Sequence, residues 1–186
     1  MNSMCATTAR AVGRMNNSSV ALGRAIALVR MATAVFFLFF GEYKVFDSGF
    51  AHGGFQNYLH GYIDGNAVVL YRPVLANVIL PHAVFFGYVV GVVELCVAWS
   101  LLFGIWVRVG SILGMLHMTS LALATWWEPG HGVPTWRYFG AQLDHLPLLL
   151  LFFVFYVADA GRVWGVDGWL EGKRRASSDR QASSSA

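Results

Sequence analysis

Charge is scarce in this sequence. Asp, Glu, Lys and Arg make up 12% of its 186 residues, about half the share of an ordinary soluble domain. So few ionised side chains cannot cover a water-soluble globule of this size, and a disordered chain is excluded by the same shortage of polar residues. Cysteine is nearly absent: Cys5 lies in the N-terminal arm and Cys96 inside an apolar run, which rules out a disulfide scaffold. The six histidines (His52, His60, His82, His117, His131 and His145) lack zinc-type spacing and no Cys pair accompanies them. No two histidines sit at one depth on two helices as b-type haem requires, and there is no Gly-rich phosphate loop or nucleophile elbow. No bound metal or haem is therefore evident.

Apolar residues dominate instead, at 56% hydrophobic and 15% aromatic, with a mean hydropathy of +0.54. We read an integral membrane protein. Each span needs about 20 residues, so the length admits at most about five. The net charge of +3 does not point to nucleic acid, because the basic residues gather at the two ends. Arg10, Arg14 and Arg24 precede the apolar part; Lys173, Arg174, Arg175 and Arg180 follow it. That is how Lys/Arg bias fixes topology.

The pattern predicts an all-α, four-helix transmembrane bundle with spans over 24–46, 81–103, 106–127 and 145–164. Residues 1–23 read as a mobile cytoplasmic arm, 24–170 as the membrane domain and 171–186 as a disordered basic, Ser-rich tail. Both termini are expected in the cytoplasm of a multi-pass cell-membrane protein. Between the first two spans, Phe50, Phe55, Tyr58, Leu59, Tyr62 and Ile63 recur at roughly helical spacing, predicting an interfacial helix. The stretch Ala67–Leu80, interrupted by Arg72, Pro73 and Asn77, predicts an interfacial or re-entrant piece.

Ionisable residues inside spans are costly, so they face the bundle and find partners. Gly87, Gly91, Glu94 and Ala98 share one helical face, as do Gly110, Gly114 and His117, and Arg30, Ala34, Phe37, Gly41 and Lys44. Counted from the expected span ends at 1.5 Å per residue, Arg30 lies roughly 9 Å deep and Glu94 roughly 13 Å deep. An Arg30–Glu94 ion pair is expected, joined by Arg108 or Asp159. It is either a register-fixing salt bridge or, with His117, a polar core for chemistry. A second polar group, Glu42, Lys44, Glu128, His131, Arg137, Asp144 and His145, is either a set of solvated loops or a mouth where a small anion meets a membrane-borne ring. There Lys44, Arg137 and His145 would bind substrate.

Three segments then resemble a known family. Arg30 with Phe36-Phe37-Leu38-Phe39-Phe40-Gly41-Glu42-Tyr43-Lys44 is similar to the first helix of the DoxX/DoxD family. Gly87-Tyr88-Val89-Val90-Gly91-Val92-Val93-Glu94-Leu95, running on through Leu101-Leu102-Phe103-Gly104 to Arg108, is the second match. Ala160-Gly161-Arg162-Val163-Trp164-Gly165-Val166-Asp167 resembles the family's closing motif. Order and spacing agree over 28–170. The resemblance implies a four-helix membrane bundle, and DoxD-type chains imply a subunit passing electrons from thiosulfate to membrane quinone. The expected function is thus a quinone-interacting subunit of a membrane oxidoreductase, with quinone as co-substrate and a redox subunit or second copy as partner. The competing expectation is a non-catalytic scaffold or anchor for a redox or stress-response partner. A small-solute transporter or channel is the weaker third reading, since the sequence shows no clear inverted repeat.

Overall fold

The computed structural model describes residues 2–126 and 142–184, with side chains from residue 18 onward. Among the described residues every regular element is helical. Helix α1 (Asn2–Phe46) is followed by a continuous helical arm, in which α2 (Phe55–Gly61) is flanked by wider helical turns at Phe50–Gly54 and Tyr62–Asn66. Then come α3 (Ala83–Phe103), α4 (Val107–Ala124), α5 (Leu146–Val157) and α6 (Val166–Ser184).

Three helical runs are long and apolar enough to cross a membrane: Ser18–Phe46, Arg72–Phe103 and Val107–Ala124. The expected fourth span is represented by α5, whose twelve residues reach only about 18 Å. Its large apolar side chains still divide in the manner of the others. Phe152 and Phe155 are buried while Leu150, Phe153 and Val157 are exposed. The whole surface has this inverted character, apolar outside with Arg30, Glu94, Ser111 and Gln142 buried inside.

Both described ends of the chain are helical. The arm over 2–23 continues α1 as helix, with no proline before Pro73 to interrupt it. The tail is helical to Ser184. There an Arg175–Glu171 pair at i,i+4 and the hydroxyls of Ser177 and Ser178, which donate to the Arg174 carbonyl, supply local bonds. Residues 72–82 lie in and just beyond the stretch read as an interfacial or re-entrant piece. They form a distorted helical lead into α3, with Pro73 and Pro81 each in a first turn, where no backbone N–H is needed.

Glycines set how closely the helices approach. α1 packs most extensively on α3 and α5 on α4. A Cβ on Gly41 would come within 2.9 Å of the Leu95 backbone nitrogen, and one on Gly91 within 2.9 Å of Lys44 Cβ. Gly114 leaves room for the ring of Phe152, which meets Phe37 edge-on at 5.3 Å. The core that results joins Ala34 and Phe37, Val97, Ala98 and Leu101, Met118, and Phe152 and Phe155. Leu59, Ala67, Leu75, Ala83 and Ala124 form a second cluster at the far end.

The α3–α4 turn is held by a distant carboxylate. Gly104 and Trp106 both take left-handed backbone, with φ of 66° and 50°, and no Ser, Thr, Asp or Asn precedes α4 to cap it. Asp167 does so instead. Its Oδ1 accepts the Trp106 N–H at 2.9 Å and its Oδ2 the Val107 N–H at 3.1 Å, while its own N–H donates to the Gly104 carbonyl at 2.9 Å.

Candidate functional site

Close approach of α1 and α3 at Gly91 places Lys44 over the next turn of α3, where Glu94 points inward. The lysine Nζ donates to Glu94 Oε1 at 2.5 Å. From α4, one turn beyond Gly114, His117 presents Nε2 to the same oxygen at 2.9 Å. Since a carboxylate only accepts, Nε2 carries the proton in this contact. All three side chains are withdrawn from solvent, with exposures of 4% for Glu94, 8% for His117 and 17% for Lys44. The rings of Phe40 and Phe50 stand 6.0 and 5.6 Å from the Lys44 ammonium, within reach of a cation–π attraction.

Both hydrogen bonds fall on one oxygen. Glu94 Oε2 is buried without a partner, although a buried carboxylate oxygen ordinarily has one. Glu94 and Lys44 line a cavity of about 580 Å³ whose walls include Phe36, Phe37, Phe40, Met118, Leu121 and Leu148. Asp144 and His145 line it as well. Phe36 and Phe40 are largely exposed on the outer face of α1, so the cavity borders the surface that the apolar belt would turn to lipid. At the Asp144–His145 edge, Thr125 Oγ1 lies 3.4 Å from His145 Nδ1, and Gln142 Nε2 donates to the Thr125 carbonyl at 3.0 Å.

The expected Arg30–Glu94 pair is not formed, and helix register explains why. In the antiparallel α1–α3 pair, Gly41 meets Leu95 and Lys44 meets Gly91, so each step back along α1 is a step forward along α3. Arg30, eleven residues before Gly41, therefore reaches Gly104 at the end of α3, about 15 Å along the axis from Glu94. The depth estimate started α1 at residue 24, but the helix has no end there. Arg30 is fully buried, and its Nη2 donates to the Trp164 carbonyl at 3.0 Å.

The remaining expected residues divide between the two ends. Arg108 Nε lies 3.4 Å from Asp159 and Arg162 Nε 2.7 Å from it, at the Arg30 end and away from Glu94. His145 and Lys44 border one cavity with Glu94. Arg137, Glu128 and His131 lie outside the described residues. Sequence reasoning assigned Lys44 to an outer mouth and missed it as the partner of Glu94. The available signal was Gly91, one turn from Glu94, beside which a neighbouring helix must pass. No protein-family model, characterised protein or solved structure matches the chain.

Proposed function

We propose that this chain is a DoxX-like, four-span protein of the cell membrane, with both termini cytoplasmic, that binds quinone as a subunit of a membrane oxidoreductase. The observation that carries the reading is Glu94, which lines an apolar, aromatic-walled cavity and whose Oε2 is buried without a hydrogen-bond partner. A quinone head is a flat ring bearing carbonyl oxygens, and ligand cavities of this kind pair apolar walls with a few placed polar groups. Reduction of a quinone takes up two electrons and two protons. Lys44, His117 and Glu94 are a connected set of groups able to hold and donate protons at that point.

In this reading the ring lies against Phe36, Phe37 and Phe40, with its tail leaving into the bilayer. Glu94, ionised beside Lys44 at rest, takes up a proton and passes it from Oε2 to a quinone oxygen, once for each of the two protons. Lys44 and His117 stabilise the carboxylate left behind each time, and His145 binds at the cavity edge. Electrons come from a partner redox subunit, with thiosulfate as the donor that the family resemblance suggests. The excess of cations beside both termini supports a cytoplasmic position for them. The short α5 completes the bundle as the fourth span by drawing on the turn after it, 158–165.

Saturable binding of a short-chain quinone to the purified protein in nanodiscs, followed by tryptophan quenching, tests the reading. Glu94→Gln keeps the shape and removes the transferable proton, and is expected to weaken binding about tenfold, the equivalent of 1.4 kcal/mol. It is also expected to abolish thiosulfate-dependent quinone reduction by the complex purified with its partners. Absence of saturable binding refutes the proposal. Intact partner capture without it would leave the scaffold reading standing.

A further inference from the structure

At the end of the bundle opposite the Glu94 cavity, a different surface has no role in that reading. Among the described residues helix α6 packs extensively on no other helix, and its residues 172–178 are exposed. Trp106, Trp164 and Trp169 are all more than half exposed at this end. Arg24 belongs to the same level, since a Cβ on neighbouring Gly23 would come within 3.1 Å of Val163.

The charges here are unequal. Arg24, Arg108, Arg162, Lys173, Arg174 and Arg175 face Asp159, Asp167 and Glu171. Those carboxylates are already engaged: Asp159 by Arg108 and Arg162, Glu171 by Arg162 and Arg175, and Asp167 by the start of α4. Lys173 folds over the Trp169 ring, with Nζ 3.8 Å from its centroid. Among the described residues the other end has the reverse balance, with Glu42, Asp47, Asp64 and Asp144 against Lys44 and Arg72.

We infer that α6 and the turn before it form a docking surface for anionic phospholipid headgroups. Exposed tryptophans occupy the headgroup level of a bilayer, with apolar ring toward the chains and N–H toward water. Basic side chains immediately beside them attract anionic lipid at about 1 kcal/mol each, or about fivefold per charge. Charge complementarity selects this occupant, since the helix offers a basic, tryptophan-anchored flank continuous with the lipid-facing belt. The inference stands on the membrane character of the chain and not on its ligand.

Hydrogen exchange of the full-length protein tests it, in nanodiscs of phosphatidylcholine alone and of phosphatidylcholine mixed with phosphatidylglycerol. Exchange across 169–178 is expected to slow in the anionic discs and to recover in high salt, since screening weakens the attraction. Lys173→Gln with Arg174→Gln is expected to reduce that slowing by about fivefold per charge, with unchanged thermal unfolding, because both side chains lie outside the core. Equal exchange in the two lipids overturns the inference, as does protection that salt leaves unchanged. Protection in phosphatidylcholine discs on adding inorganic phosphate alone would assign the basic cluster to a free anion and also overturn it. The salt titration on the unaltered chain decides the matter even if the double variant fails to fold.

Discussion

Glu94→Gln and Lys44→Met, made singly and together, are expected to be strongly non-additive. The two groups meet at 2.5 Å with side-chain exposures of 4% and 17%. Removing one partner of a buried ion pair costs about 3–5 kcal/mol, because a charge is left without compensation. Both single changes belong at the lower end of that range, about 3 kcal/mol each. After Lys44→Met, His117 remains 2.9 Å from the carboxylate and can neutralise it by taking a proton. After Glu94→Gln, Lys44 is close enough to the surface to turn outward on its flexible stem. The double variant strands neither charge. Its total cost is expected near that of one single change, giving a coupling of about 2–3 kcal/mol. Reversible unfolding in mixed micelles of mild and denaturing detergent, followed by far-UV circular dichroism, measures all three variants. Costs that add to within about 0.5 kcal/mol would show that the two side chains do not rely on each other.

Other sites give independent checks. Gly41→Val should destabilise the bundle by about 1–3 kcal/mol, since its Cβ would press on the Leu95 backbone; Gly53→Ala, whose Cβ meets nothing within 4 Å, should be far milder in the same unfolding assay. Asp167→Ala removes both acceptors at the start of α4 and is expected to cost about 1–2 kcal/mol, read as a lowered midpoint in that assay. Burial, and secondarily Tyr58 beside it, holds the Tyr62 phenol above the ordinary tyrosine range. The unfolded chain then releases this proton first, so stability should fall as pH rises from the ordinary tyrosine pKa to the raised one. Tyrosinate absorbance of the protein and of Tyr62→Phe measures that late-titrating phenol.

The all-helical, membrane-spanning character and the inward aim of Arg30, Glu94 and His117 were legible in the sequence, because periodicity and the cost of charge in lipid are properties of single segments. The buried Ser111 and Gln142 were not foreseen. Glu94 and His117 stand three residues beyond Gly91 and Gly114 on their own helices, and that alone aims them inward. Partner choice is a property of two segments. It depends on which glycine meets which backbone, and Gly41 against Leu95 is visible only once the helices are packed. Asp167 was hidden for the same reason, since it caps a helix that begins 60 residues earlier in the chain. The cap missing at Trp106 was the local sign that a remote acceptor had to exist.

The two buried cations of α1 clarify why chemistry is assigned to one end only. Arg30 and Lys44 lie on the same helix, yet Arg30 is packed against Gly104 and Gly165 and bonds a backbone carbonyl. Its side chain is fully enclosed, so a ligand has no approach to it. A guanidinium so placed ties α1 to the α3–α4 turn and the segment before α6, which also hold the left-handed residues Trp106 and Trp164. Lys44 instead meets a carboxylate whose second oxygen has no hydrogen-bond partner and whose side chain lines a cavity. The proposed proton transfer is placed there because carboxyl, amine and imidazole are proton-exchanging groups as a class, whereas a guanidinium is a fixed charge. The same inward-facing stripe of α1 therefore serves as a fastener at one end and, in the proposed function, as part of the quinone site at the other, and the difference lies in what the facing helices present.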